Sequence, residues 1–358
     1  MSDTPYFPRV GGIHGTIRRM RILSGIQPTG DKHLGNYIGA IQQYVSYQDQ
    51  GDALYFIVDL HALTVQPDPA ELRERTLTTA ALLIAAGLDP DRCTLFVQGH
   101  VGGQHAEMQW ILSCVATYGE LRRMHQFKDK STAKGENVSA GLFTYPVLQA
   151  ADILLYDIDV VPVGEDQKQH IELTRNIAQR FNNRYGEALV VPEPMIPKVG
   201  GRIMDLQRPA DKMSTTGGSP KGTVQVLDEP DVILKKFRSA VTDSGSEVYF
   251  DRDDSEKAGV SNLLEILSVA SGRSIDDLVT EYRSAGYGTF KTAVGEAVVE
   301  YLRPVRERYH ELLEDRGELE RILADGAEKA HQRSAPKLAH VKELVGCLPL
   351  PERTRSQA

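Results

Sequence analysis

The run Ser24-Gly25-Ile26-Gln27-Pro28-Thr29-Gly30-Asp31-Lys32-His33-Leu34-Gly35-Asn36 places a glycine-punctuated turn between a short apolar strand and an amphipathic helix. Ile22 and Leu23 supply the apolar end of the strand. Beyond the turn, Leu34, Ile38, Ile41 and Val45 recur at helical spacing, so His33 and Asn36 fall in the first turn of a helix. Unpaired backbone N–H groups and the positive end of the helix dipole favour bound anions there. Glycines at 25, 30 and 35 permit the tight bends and close approach that a base or ribose lying on the turn requires. Neither common nucleotide signature is present, since the P-loop needs Gly-Lys-Ser/Thr after its glycines and the dinucleotide fingerprint needs its own three-glycine spacing.

A chain of 358 residues is longer than most single compact domains, so two are expected. Ala53 to Val58, Cys93 to Val97 and Asp159 to Val163 read as buried strands. Helices are expected from Asp68-Pro69 to a stop at Gly87, around Met108 to Val115, around Leu148 to Tyr156, and from Gly164-Glu165-Asp166 through Phe181. Strands alternating with helices at this rhythm predict a mostly parallel sheet covered on both faces. Beyond Pro192 the pattern turns loop-rich. Past the Gly217-Gly218-Ser219-Pro220 hinge, helical spacing dominates at 232–237, 263–270, 275–282, 290–302 and 319–345.

Two further elements give the pattern a family. His33-Leu34-Gly35-Asn36 looks like the HIGH element of class I aminoacyl-tRNA synthetases, and Lys212-Met213-Ser214-Thr215-Thr216 looks like their KMSKS loop. The blocks Gly25 to Pro28, Lys128 to Ser131, Thr144 to Tyr156, Val161 to His170 and Ser239 to Asp243 together resemble the tryptophanyl-tRNA synthetases of bacteria. The likeness runs from Arg21 to about Leu344. Tyrosyl-tRNA synthetases share the HIGH and KMSKS elements but not this run of blocks.

The resemblance implies an α/β fold, with a class I synthetase Rossmann-like parallel sheet and a second, mostly α-helical domain. Its divisions would be a mobile extension over 1–20, a catalytic domain over 21–206, a mobile KMSKS-like loop over 207–225, a helical tRNA and anticodon domain over 226–348 whose last helices pack back on the catalytic domain, and a tail over 349–358. Residues 1–20 also read as an over-called start upstream of Met20. The implied reaction is ATP-dependent activation of L-tryptophan to its adenylate, followed by transfer to the terminal adenosine of tRNA(Trp). ATP with Mg²⁺ and a homodimer are implied alongside. A tyrosine-specific ligase and a catalytically weak paralogue that binds tryptophan or tRNA are the competing readings.

By the same resemblance, His33, Asn36, Lys130 and Lys212 are the catalytic candidates. Gln27, Gly35, Asn36, Gly164, Asp166, Lys212, Met213 and Ser214 would hold ATP. Leu23, His61, Val161 and Val163 would line an indole pocket, while Tyr145, Gln167 and Gln27 would meet the ammonium and carboxylate of the amino acid. No protein metal site is expected. Asp152 has independent support: its helical neighbours Leu148, Ala151, Leu154 and Leu155 are apolar, which aims its carboxylate into a cavity. A buried charge needs a hydrogen-bonded partner, and an indole N–H is a donor-only group.

With 41 basic and 49 acidic residues the net charge is −8, which argues against blanket attraction to polyanions. An RNA would be held by local clusters, the candidates being Arg18, Arg19 and Arg21, then Arg122, Arg123, Lys128, Lys130 and Lys134, then Arg303, Arg306 and Arg308. Each alone also reads as a solvated helix face. Cys93, Cys114 and Cys347 are too few and too widely spaced for a disulfide framework or zinc knuckle. No apolar run is long enough to span a membrane, and Arg18-Arg19 precedes a polar turn instead of a signal segment, so a cytoplasmic protein is expected.

Three positions depart from the family pattern. Leu23 replaces an aromatic found in some relatives, Gln149 stands where bacterial relatives typically carry methionine, and Thr215 stands where KMSKS has its second lysine. Losing a cation from a leaving group costs on the order of 2 to 4 kcal/mol if nothing replaces it; Lys221, Arg202 and Lys128 are the candidates to do so. A compensated enzyme should therefore gain less than about tenfold in pyrophosphate-exchange rate on Thr215→Lys, and a larger gain would mark the natural loop as impaired.

Overall fold

The computed structural model describes residues 10–11, 17–125, 138–164, 167–195, 203–214 and 218–349. Among them five strands form one sheet: β1 (Arg21–Ile26), β2 (Asp52–Ile57), β3 (Thr94–Val97), β4 (Val160–Pro162) and β5 (Glu193–Met195). Their order is β3-β2-β1-β4-β5 and every pairing is parallel. β2 and β3 are buried nearly throughout, because helices cover both faces and leave no side for polar alternation.

Side-chain alternation divides the interior. Tyr55, Ile57, Leu95 and Val97 face one apolar cluster, and Leu54, Phe56 and Phe96 face the other, as a period of two requires. The chain builds β2 and β3 on one side of β1 and then crosses to β4 and β5 on the other. That reversal opens a crevice beyond the carboxyl ends of β1 and β4, where ligands bind in sheets of this kind. β5 was not foreseen, since Pro194 interrupts it. An edge strand tolerates the missing backbone donor.

The first helix, α1, runs through Leu34–Asn36, Tyr37–Ile41 and Gln42–Tyr47, its middle segment being π-helical. α2 (Pro69–Ala85) begins where Asp68 accepts the N–H groups of Ala70 and Glu71 at 2.9 and 3.0 Å, a capping arrangement with proline in first position. α3 (Gln104–Ser113), α4 (Ala140–Leu154) and α5 (Lys168–Tyr185) complete the layers around the sheet. α4 starts earlier than its apolar spacing suggests, because Gly141 and Pro146 lie within its first turns.

Beyond the sheet lie α6 (Pro230–Arg238), α7 (Ala258–Ser271), α8 (Ile275–Tyr282), α9 (Gly286–Glu314) and α10 (Arg316–Leu344). Phe237, Leu263, Phe290 and Leu302 share a cluster with Leu34, Ile41 and Leu83, so these helices close directly over α1 and α2. α10 turns back along the sheet. Leu319 and Leu323 join one cluster, while Leu338 and Val341 join the other. A Cβ on Gly326 would stand 1.8 Å from the Leu95 carbonyl oxygen, so only glycine lets helix and strand approach this closely.

Among the described residues, the first and third basic clusters are partly spent within the fold, while Lys128, Lys130 and Lys134 of the second lie outside the described residues. Arg21 reaches the Tyr156 carbonyl and Asp157. Arg303 pairs with Glu300 and Glu307, Arg308 pairs with Glu311, and buried Arg306 donates to the Val299 carbonyl. The face carrying Arg303 and Arg308 is thus of mixed charge.

Candidate active site

The crevice at the sheet's reversal is a cavity of about 520 Å³ that brings together Leu23, Gln27, His61, Tyr145, Gln149, Asp152, Val161, Val163, Gly164 and Gln167. Leu23 is supplied by β1 and Val161 by β4, while Gln27, Val163 and Gly164 follow the ends of those strands. Tyr145, Gln149 and Asp152 lie four and three residues apart on α4, which stacks them on one face. Ser24, Tyr44, Phe56, Val58 and Thr64 also line the cavity. A larger space of about 600 Å³ between α2 and α10 holds none of the expected residues and lies away from the reversal.

Asp152 is 1 % exposed. Its Oδ1 accepts from Gln98 Nε2 and His105 Nδ1, each at 2.7 Å, and its Oδ2 accepts from His61 Nε2 at 2.8 Å. Burial alone would push the carboxyl up, but the hydrogen bonds from His105 and His61 more than reverse this and hold it below the ordinary carboxylate range. A carboxylate offers about four acceptor positions. Three are taken, and the remaining one belongs to Oδ2 at the cavity. Nearby, the Tyr145 hydroxyl lies 2.9 Å from His170 Nε2, and burial pushes its pKa up to about 12. The His61 and Tyr145 rings meet edge to face at 6.3 Å.

At the mouth, His33 caps α1. Its Nδ1 accepts the Asn36 N–H and Asn36 Oδ1 accepts the His33 N–H, both at 3.2 Å, a reciprocal capping box. A Cβ on Gly35 would stand 3.1 Å from the His33 ring, so glycine makes room for the cap. Burial, then the charges of Lys212 and Lys32, lower the His33 pKa to about 4. The ring is therefore neutral at pH 7, and with Nδ1 accepting, Nε2 carries the proton. The stability this contributes is complete above the unfolded value of 6.5 and is lost as the pH falls through about 4.

The second motif is fastened beside the first. Met213 is buried and its N–H donates to the Ile203 carbonyl at 3.0 Å, and Thr223 Oγ1 donates to the Ser214 carbonyl at 3.0 Å. The Leu34 N–H donates to the Val224 carbonyl, and the Val226 N–H to the Lys32 carbonyl. Exposed Lys212 is close enough to His33 to act on its titration. Lys130, Asp166 and Thr215 lie outside the described residues, as do the alternative cations Lys128 and Arg202.

Gln98, His105 and Tyr156 were missed by sequence reasoning. Gln98 directly follows β3, and the carboxyl end of a buried parallel strand was the available signal. His105 carried none, because only the packing of α3 against α4 brings it to Asp152, and Tyr156, four residues beyond Asp152, joins only through His105.

Among the described residues no three His, Cys, Asp or Glu side chains cluster to hold a metal, and no helix is long and apolar enough to cross a membrane. The family model of class I tRNA synthetases for tryptophan and tyrosine matches residues 16–303. The tryptophan–tRNA ligase of Corynebacterium glutamicum is 53 % identical over 330 residues, covering 92 % of this chain and 95 % of that relative. A tryptophan–tRNA ligase numbered 2 from Streptomyces avermitilis is 53 % identical over 333 residues, covering 92 % of this chain and 98 % of that relative. The tryptophanyl-tRNA synthetase of Campylobacter jejuni, solved with ADP and tryptophan, superposes with a TM-score of 0.81 at 37 % identity, covering 91 % of this chain and all of that one. With its parallel sheet, its paired motifs and a match over most of its length, the chain belongs to the class I tRNA synthetases for tryptophan and tyrosine.

Proposed function

We infer that this chain is an ATP-dependent tryptophan–tRNA ligase of the cytoplasm. The observation that carries the tryptophan assignment is the buried Asp152 carboxylate, with one acceptor position of Oδ2 unused, in the wall of a cavity that Leu23, Phe56, Val58, Val161 and Val163 line together with polar side chains. An indole N–H satisfies that position. A phenylalanine ring leaves it empty and so incurs the cost of an unpaired buried acceptor.

In the proposed reaction, a tryptophan carboxylate oxygen bonds to the α-phosphorus of ATP while the bond to the β-phosphate oxygen breaks, releasing pyrophosphate. The terminal adenosine hydroxyl of tRNA(Trp) then takes the acyl group and AMP leaves. The chain supplies no covalent nucleophile; rate comes from alignment and from donors aimed at developing charge. Neutral His33 offers Nε2–H, Asn36 stands with it at the start of α1, and Lys212 adds a cation. Met213 and Ser214 position that cation, and Gly35 leaves room for adenine. Gly164 and Asp166 are assigned to the ribose, and Lys130 to the phosphates. Mg²⁺ enters as part of MgATP, whose phosphates supply most of its oxygen ligands.

Leu23, His61, Val161 and Val163 are assigned to the indole walls, and Gln27, Tyr145 and Gln167 to the amino-acid head group. The amide of Gln149 on the same helix face adds a donor and an acceptor beside the ring, sharing the indole N–H with Asp152. The helices from α6 onward are assigned to tRNA. The active form is proposed to be a homodimer, a reading supported by the resemblance and by Trp110 and Tyr118, which present large aromatic side chains 73 % and 68 % exposed.

Pyrophosphate exchange should depend on tryptophan and be negligible with tyrosine or phenylalanine, and Asp152→Asn should raise the tryptophan KM by at least about tenfold with little change in the ATP KM. Exchange supported equally by tyrosine would refute the assignment. Gln149→Met should shift inhibition by ring-modified tryptophan analogues by about three- to tenfold, and an unchanged inhibition series would remove Gln149 from recognition. Sedimentation should give twice the mass of one chain; a single-chain mass at micromolar concentration would contradict the dimer.

A further inference from the structure

A second buried carboxylate stands under the segment that carries Lys212. Asp205 is 0 % exposed. Its Oδ1 accepts the N–H groups of Gln207 at 2.8 Å and Arg208 at 3.1 Å, and its Oδ2 accepts the N–H of Ser219 at 3.2 Å. Among the described residues no lysine or arginine pairs with it, so backbone N–H groups compensate a charge taken out of water. Gly222 is packed against it: a Cβ there would stand 1.8 Å from Oδ1, so glycine is what lets the carboxylate reach both sides of the motif. The strand-like stretch beneath is fixed from another element. Asn262 of α7, 4 % exposed, accepts the Met204 N–H on Oδ1 at 2.9 Å and donates from Nδ2 to the Met204 carbonyl at 3.1 Å. Met204 in turn forms an antiparallel bridge with Lys212, closed by the Met213 N–H on the Ile203 carbonyl at 3.0 Å and the Asp205 N–H on the Asp211 carbonyl at 2.9 Å.

We propose that Asp205 is a positioning residue for the phosphoryl chemistry: by holding the turn at Gln207 and Arg208 and the chain at Ser219, its carboxylate fixes where Lys212 stands. This rests on the reading of Lys212 as the cation that meets the departing phosphates. The physical reason is preorganisation. A lysine head group rides on a flexible four-carbon stem, and it stabilises developing charge at no cost in rearrangement only where its backbone is set beforehand. The bridge to Met204 sets the backbone of Lys212, and Asp205 closes the chain around that bridge from both sides. Before Lys212 it holds the turn whose Arg208 carbonyl takes the Asp211 N–H at 2.8 Å. After Lys212 it draws in Ser219, whose carbonyl accepts the Gly222 and Thr223 N–H groups, each at 2.9 Å, and Thr223 Oγ1 then reaches the Ser214 carbonyl at 3.0 Å. With Thr215 in the place of a second lysine, Lys212 is the one cation between Asp211 and Ser219, so no neighbour in that stretch makes up for a misplaced head group.

The test is a double-mutant cycle in the full chain, read by pyrophosphate exchange. Lys212→Met should lower kcat by about a hundredfold, and Asp205→Asn by about tenfold, since the amide keeps an oxygen for Gln207 and Arg208 but turns a donor toward the Ser219 N–H. Tryptophan binding, measured by calorimetry without ATP, should stay within about twofold in both variants. The two losses should not add: in the Lys212→Met background Asp205→Asn should cost less than about twofold, because no cation remains to be placed. A merely structural role would cost the same tenfold in either background and would overturn the proposal, as would an unchanged kcat in Asp205→Asn or a parallel weakening of tryptophan binding. If Lys212→Met itself leaves exchange intact, the reading of Lys212 has failed; if it lowers exchange as expected while Asp205→Asn does not, only the positioning role has failed. Should Asp205→Asn not fold, Ser219→Pro, which leaves the carboxylate in place and removes the N–H beyond the motif, decides the matter by the same cycle.

Discussion

A single buried negative charge organises the centre of this molecule. Removing a carboxylate from water without compensation costs several kcal/mol, so Asp152 demands donors, and the fold gathers them from separate places. Gln98 comes from beyond β3, His61 from the short helical turn Asp59–Ala62 after β2, and His105 from α3. His105 is confined in turn against the rings of Phe56 and Phe96, and His61 meets the ring of Tyr145. The outcome is a carboxylate held by three donors in the wall of the cavity, and the proposed ligand N–H completes its set of partners.

The proposed nucleotide side follows a different logic. There the N–H groups of Leu34 and Asn36 at the start of α1 are already paired, with the Val224 carbonyl and His33 Nδ1, so side chains such as His33 and Lys212 are what the proposed site has to offer. His33 stays neutral because burial and two nearby cations oppose its charging, which leaves a dipolar donor in place of a third cation. Pairing of residues 224–226 with the HIGH-like turn holds the KMSKS-like segment against it. Two motifs separated by most of the sheet-forming sequence thereby become one surface.

The parallel sheet, its helical cover and the change to an all-helical second part were legible in hydrophobic spacing, since buried parallel strands and amphipathic helices leave distinct periods. β5 was not, because Pro194 breaks the local signal and only a neighbouring strand makes three residues a strand. The π-helical segment at Tyr37–Ile41 left no mark in the spacing either, because Ile38 and Ile41 satisfy either winding. For the cavity, the residues contributed by β1, α4 and β4 were readable from motif blocks. His105, which reaches Asp152 only through the packing of α3 against α4, was not.

The order of residues along the chain determined the local chemistry: a capped helix start at His33 to Asn36, an acid on an apolar helix at Asp152, and a lysine-bearing segment at Lys212. Tertiary structure decided what those pieces face. It oriented the acid and made the histidine neutral. The division is physical, for propensity and periodicity act over a few neighbouring residues, whereas charge compensation and close packing depend on distances in space that join residues far apart in the chain.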